Sequence, residues 1–466
     1  MTRHMMWALV ALLGCSPDPK NEATDASSEG DADADTDADT DADTDTDADT
    51  DTDATPVVTA ACALTANALR ITCTATLDAP GTVTLVLSAP GAATRTFVSA
   101  DATEHELLGW GLVAETAYTW SIGTQSGTVT TGPLPAALAD AAISTTGAAT
   151  GFDAVLYPLA CPGDDYFTMI DGDGRIVWYE RNDVYFGAFM AGYDWSQANL
   201  TVLSVGEDRF QEQHVSGDVV LELAGTGVDF EHTLHHDTAR WGDLRYLLFE
   251  YPVGDLFVDG VHVFDGATRV GTWLMGDDFT VPDTGEGDWG HANGLKVTET
   301  GEIVLSLHTF SSVLTVDGDP ASATFLQSGT IFNGGSGGLP DPDYVPVEGP
   351  GEGFRRQHNA SRHGDDLWVF DNESQPTSRA LRMALDPATG TLTTTGSWSF
   401  DETCKNQGGA IPLAGGGVLA SCANVGKVWQ FDEAATEPVW TLEAACGEDP
   451  EPGSLQILRG IPVRVE

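Results

Sequence analysis

Six stretches of this chain follow one pattern, and their repetition limits its possible folds more than any other feature. "LHHDTARWGDLRYLLFEY" (234–251) and "RQHNASRHGDDLWVFDN" (356–372) align so that His236 falls on His358 and Gly242 on Gly364. "GDWGHANGLKVTETGEIVLSLH" (287–308) puts His291 in the same place, with a longer turn. "YDWSQANLTVLSV" (193–205) repeats Asp-Trp-x-x-Ala-Asn with Gln197 in the histidine position. "NQGGAIPLAGGGVLASC" (406–422) has Gly408 there, and "CPGDDYFTMIDGDGRIVWY" (161–179) supplies the sixth unit. Short β-rich runs broken by Gly, Asp and Asn read as strands and tight turns, with almost no helical period. Successive marks lie about 40 to 65 residues apart, the spacing of four-stranded blades. The fold expected is all-β, a six-bladed β-propeller over residues 143–466. The first strand of each blade lines the channel of a propeller, so His236, His291 and His358 are expected to converge at one end.

The chain before the repeats divides into three. Residues 1–15, "MTRHMMWALVALLGC", carry Arg3 and His4, then an apolar run too short to span a bilayer as a helix. The run fits a secretory signal, and Leu12-Leu13-Gly14-Cys15 reads as a bacterial lipobox with Cys15 as the lipidated residue. A plain signal peptide is the alternative. Ser16 after the cysteine points to the outer membrane, as in similar lipoproteins. Residues 16–55 hold sixteen acidic residues and one lysine, and the repeat "DADADTDADTDADTDTDADTDTD" reads as a solvated spacer. Residues 56–135 show short strands at regular intervals, expected to form a small immunoglobulin- or fibronectin-like β-sandwich.

The formal charge of −51 excludes nucleic acid and anionic membranes as partners, apart from the lipid anchor. Without Cys15, six of the seven cysteines remain, an even number for an exported chain. The expected pairs are Cys62–Cys73 across a hairpin, Cys404–Cys422 between neighbouring strands, and Cys161–Cys446 tying the start of the large domain to its end. Asp-Gly-Asp-Gly at 171–174 reads as a hairpin turn in preference to a calcium loop.

Three converging histidines leave several chemistries open. Any one of them alone is the kind of histidine a core satisfies structurally. Together they are donors of the type that binds zinc, with Asp237 as an orienting partner or fourth ligand. A non-catalytic propeller that binds a ligand at the cell surface is a further reading.

One resemblance narrows this. His235-His236-Asp237, Asp288-Trp289-Gly290-His291-Ala292-Asn293, Gln357-His358, Phe370-Asp371-Asn372 and Ser378-Arg379 resemble, in order and spacing, the motifs of the bacterial arylsulfotransferase family, over about residues 156–428. The resemblance implies a six-bladed propeller that moves a sulfuryl group from an aryl sulfate to a phenol without a nucleotide donor or other cofactor. It implies His358 as the nucleophile that forms a sulfohistidine. His291, with His236 or His235, would hold the sulfuryl oxygens and move the phenol's proton, with Asn293 as an extra donor. The repeat alignment favours His236 over His235 as the residue facing the channel. The chain departs from the family at Ser306-Leu307-His308, where His308 stands in place of an arginine. Losing a guanidinium's paired donors would weaken sulfate binding by about 1–3 kcal/mol. Arg355 or Arg356 would be the compensating cation.

Overall fold

The computed structural model describes residues 57–465 apart from 162–163, 183–187, 195–197, 205–208, 225–232, 283–286, 336, 401, 406, 423–424 and 447–459. The signal segment, Cys15, the acidic spacer and Gln197 lie outside the described residues.

The described chain begins with two antiparallel sheets. Val57–Leu64, Ile71–Gly81 and Ala102–Gly109 form one, in that order across the sheet. The other runs Arg95–Val98, Thr84–Ser88, Ala117–Ile122, Gln125–Thr130. Alternation in Ile71–Gly81 sends Ile71, Cys73, Ala75 and Leu77 inward, where they meet Leu85, Leu87, Tyr118 and Ile122 of the second sheet. Arg70 fastens this part to the chain that follows: its guanidinium lies 5.3 Å over the Trp178 ring and pairs with Glu180 at 2.5 Å.

Among the described residues, six further sheets follow. Five are led by Ala188–Asp194, Thr233–Trp241, Ala292–Val297, His358–His363 and Gly409–Pro412, each succeeded by three antiparallel strands in chain order. The sixth is led by Ile461–Val463, which pairs with Ala154–Cys161 and is followed outward by Asp164–Asp171 and Ile176–Arg181. Ala142–Gly147 joins the edge of Trp440–Ala445 as a fifth strand. The leading strands pack one on the next, from Ile461–Val463 through Ala188–Asp194 to Gly409–Pro412. All six contribute residues to one cavity of about 1070 Å³, among them Ile461, Tyr193, Thr238, Lys296, Ser361 and Ile411.

Three consecutive leading strands each carry a cation that pairs back to the preceding sheet. Arg240 meets Asp194 at 2.5 Å, Lys296 meets Asp237 at 3.2 Å, and Arg362 meets Glu302 at 2.9 Å. The three cysteine pairs form as expected, Cys62–Cys73, Cys161–Cys446 and Cys404–Cys422.

Two repeat units sit differently from the sequence alignment. Asn199–Ser204 is the second strand of its sheet, and Ala188–Asp194 leads it. The Asp-Trp-x-x-Ala-Asn match at 194–199 therefore lies between the first and second strands and does not mark the head of a leading strand. Asp164–Asp171 is likewise the third strand outward, because Ile461–Val463 takes the leading place.

Candidate active site

The histidines sit where three neighbouring leading strands begin, and the backbone there is irregular. Register slips between Leu234 and Thr238, between Ala292 and Gly294, and between His358 and Ser361. Such bulges re-aim side chains out of the regular alternation. His236, His291 and Asn359 have φ of +53°, +50° and +48°. Left-handed backbone at residues with a Cβ costs about 1–2 kcal/mol each, so packing must hold these turns in place. Gly290 shows how tightly it does so, since a Cβ there would lie 2.0 Å from Asp259 Oδ2.

Five imidazoles form a row. Ring centroids run His235–His236 4.9 Å, His236–His291 5.1 Å, His291–His308 4.9 Å and His308–His358 5.3 Å. His308 follows the Glu302–Leu307 strand, and its backbone N–H donates to the His291 carbonyl at 3.1 Å. The Nδ1 atoms of His235 and His236 are hydrogen-bonded at 2.6 Å. His236 is the one turned toward His291, while His235 is buried against Asp259.

The charges in the row are unequal. Asp288 accepts from His291 Nδ1 at 2.8 Å and from its backbone N–H at 2.8 Å. The hydrogen bond to Asp288 outweighs burial and raises the His291 pKa, so this ring is the most readily protonated of the five. Burial, then the neighbouring histidine charges, hold His236 well below the usual range. Burial with the His291 and Arg356 charges lowers His308 to about 4. Burial lowers His358 to about 3 and His235 to about 4. Burial and the nearby Asp288 charge raise Asp259 to about 8. Across the 3.6 Å contact between His235 and Asp259 both shifts favour the neutral forms.

His358 is held at both nitrogens. Asn372 gives its Nδ2 protons to the Cys404 and Gln407 carbonyls at 2.7 and 3.0 Å, leaving Oδ1 to accept from His358 Nδ1 at 2.9 Å. The Gln407 backbone N–H donates to His358 Nε2 at 3.1 Å. These partners assign the Nδ1–H tautomer. They also occupy the Nε2 lone pair. His308 is the reverse case: it is half-buried, and its ring nitrogens have no hydrogen-bond partner among the described residues.

Other residues singled out in the sequence are engaged elsewhere. Asp237, expected as an orienting partner or fourth ligand, serves the backbone and a lysine: its carboxylate accepts from the N–H groups of Thr238 and Leu295 and from Lys296 Nζ. Asn293 Nδ2 donates to the Gln357 carbonyl at 2.9 Å and so ties two leading strands together. Arg356 is half exposed and pairs with Glu373 at 3.5 Å, near enough to His308 to depress its basicity. Arg355 is exposed. Arg379 is buried on Asp371 at 2.8 Å and on the Gly353 carbonyl, bracing the loop before His358. Among the described residues, no three His, Cys, Asp or Glu donors are grouped to hold a metal ion.

Sequence reasoning passed over Asp259, Asn372 and Gln407 as parts of the site. Asn372 stands in a motif already noted, but its role became visible only through the His358 contact. Gln407 acts through a backbone N–H, which has no side-chain signature.

No family model matches the chain, and no curated protein matches it. Among solved structures, a protein of unknown function from Bacteroides caccae matches at 11% identity and TM-score 0.39, covering 67% of this chain and all of that one. The glutaminyl cyclase of Myxococcus xanthus matches at 14% and 0.30, covering 56% and 93%. A streptogramin B lyase matches at 10% and 0.35, covering 68% and 90%. Likeness at this level carries no argument about fold or function.

Proposed function

We propose that the six sheets close as a six-bladed β-propeller behind a fibronectin-like sandwich, and that the histidine row transfers a sulfuryl group from an aryl sulfate to a phenol. The serial packing of leading strands and the shared cavity support closure. The two-sheet strand order of the N-terminal part supports the sandwich. Three disulfides fit an oxidising compartment outside the cytoplasm. Lipidation at Cys15 and an outer-membrane location complete the reading, and among the described residues no helix is long and apolar enough to cross a membrane.

The observation that carries the chemistry is a carboxylate-paired imidazole, His291, whose ring centre lies 4.9 Å from that of an unpartnered one, His308. Sulfuryl transfer needs a cation for the sulfate oxygens and a nitrogen lone pair for the sulfur. In the first half, the lone pair bonds to sulfur, the S–O bond to the aryl group breaks, and the departing phenolate takes a proton from His291. In the second half, a new phenol returns a proton to His291 as its oxygen displaces nitrogen from sulfur. Donor and acceptor are small aromatic molecules, and no cofactor takes part.

The family resemblance assigns the attack to His358. That assignment requires the Gln407 amide to withdraw from Nε2, whereas His308 can act without any such movement. A binding-only role is the second reading, favoured by the full set of hydrogen bonds around His358. The test is release of phenol from 4-methylumbelliferyl sulfate with and without an added phenol, followed by acid-free quenching and mass mapping of sulfated peptides. Sulfate on His308, lost in His308→Ala, supports the geometric assignment. Sulfate on His358 supports the resemblance. No turnover from any aryl sulfate overturns the enzymatic reading in favour of binding.

A further inference from the structure

None of the five histidines lines the 1070 Å³ cavity between the leading strands. Four hydroxyl side chains do: Tyr193, Thr201, Thr238 and Ser361. None of the four hydroxyls makes a hydrogen bond within the protein among the described residues, and Thr238 and Ser361 are only 2% and 7% exposed. An unpartnered buried hydroxyl is destabilising, since it gives up its hydrogen bonds to water without replacement. Several around one space imply contents that both donate and accept hydrogen bonds.

The charges around the cavity narrow those contents. Arg240 is neutralised by Asp194 and Lys296 by Asp237, while Asp243 and Glu299 add negative charge. No uncompensated cation faces the space, so an anion would not be favoured. Ile411, Pro412 and Ile461 add apolar surface to the same lining as the hydroxyls of Tyr193, Thr201, Thr238 and Ser361. Water would satisfy the hydroxyls but would leave the apolar surface wetted, which is unfavourable. A sugar ring has hydroxyls at its edge and C–H groups on its faces, and it matches both kinds of lining.

We propose that this cavity binds a neutral saccharide of one or two rings, its hydroxyls on Tyr193, Thr201, Thr238 and Ser361 and its C–H face on Ile411 and Ile461. The site stands or falls independently of the histidine chemistry. The test is calorimetric titration of the intact, disulfide-bonded chain with glucose, galactose, mannose, maltose, cellobiose and lactose, with glucuronate and glucose 6-sulfate as charged controls. At least one neutral sugar should bind saturably, with Kd of about 10 μM to 1 mM. Thr238→Val and Ser361→Ala should each weaken it about tenfold or more, as expected for a lost hydrogen bond, with melting temperatures held. The proposal is overturned if no neutral sugar binds saturably, leaving a water-filled channel. It is equally overturned if the charged sugars bind as well, or if both variants bind like the parent.

Discussion

Replacing Asp288 by Asn isolates the charge on which the proposed chemistry depends. Asparagine Oδ1 can still accept the His291 backbone N–H, so the left-handed turn at His291 should survive. What disappears is the ion pair at 2.8 Å between side chains 35% and 25% exposed. Unscreened at an effective dielectric near 20, such a pair is worth about 6 kcal/mol. Exposure of a third of the imidazole and a quarter of the carboxylate cuts the net to about 1–2 kcal/mol, between surface and buried pairs. That is about a tenfold fall in the ratio of protonated to neutral His291. The sign follows from the two shifts. The His291 pKa is raised, so its contribution is present below the ordinary histidine range and is lost as pH rises through the folded value. Burial pushes Asp288 up, but the His291 hydrogen bond and charge outweigh it and hold its pKa below the usual carboxylate value. Its contribution is present above that usual value and is lost as pH falls through the lowered one. The pair therefore acts in the window between them. The assay is proton NMR titration of the imidazole C–H resonances, with His291→Gln used for assignment. The His291 resonance should titrate above the ordinary histidine value in the parent and shift to lower pH in Asp288→Asn, with the basic limb of turnover moving the same way. An unmoved His291 titration would refute the reasoning.

Other consequences can be checked as directly. Diethyl pyrocarbonate should modify His308 and spare His358, as read by peptide mass; early modification of His358 would show that the Gln407 amide is not a lasting cap. Asp237→Ala strands two backbone N–H groups and Lys296, and should lower stability by about 3–5 kcal/mol in denaturant melts. Asp259→Asn removes a carboxyl whose raised pKa makes it a growing liability as pH climbs from the ordinary carboxylate range to about 8, so the variant should gain on the parent with pH and level off above 8. Gly290→Ala, with its Cβ pressed on Asp259, should cost about 1–3 kcal/mol and lower the melting temperature.

The parts of this fold that repeat are the parts the sequence displayed. Strand alternation marked most of the sheets, and the His236–His358 alignment put two histidines of the row at equivalent strand heads. The alignment misplaced the 193–205 unit because Asp-Trp and Ala-Asn serve the segment between two strands as readily as the start of a leading strand. Ile461–Val463 was not recognisable, being three residues whose partner strand begins at Ala154. Asp237 looked chemical because it follows a histidine, yet Lys296 and Leu295 claim it through a contact between sheets that no local pattern encodes. Gln407 and Asp259 were invisible too: the first acts through backbone, and the second lies on the third strand of its sheet, away from the strand heads whose pattern repeats.

The Cys161–Cys446 bridge spans 285 residues and joins the first and last sheets of the series. A loop of that length carries about 5–6 kcal/mol of closure entropy in the chain-entropy account. This makes it a latch on assembly as well as a source of stability. A chain threaded outward from its N-terminus can stack its sheets one at a time, but Ile461–Val463 arrives late and has to find Ala154–Cys161 from a great distance, a slow kind of contact to form. Until then the series has two raw sheet edges open to a neighbouring chain. Cys161→Ser with Cys446→Ser should therefore show itself less in the finished molecule than in yield, through swapped or aggregated species formed before the seam is closed.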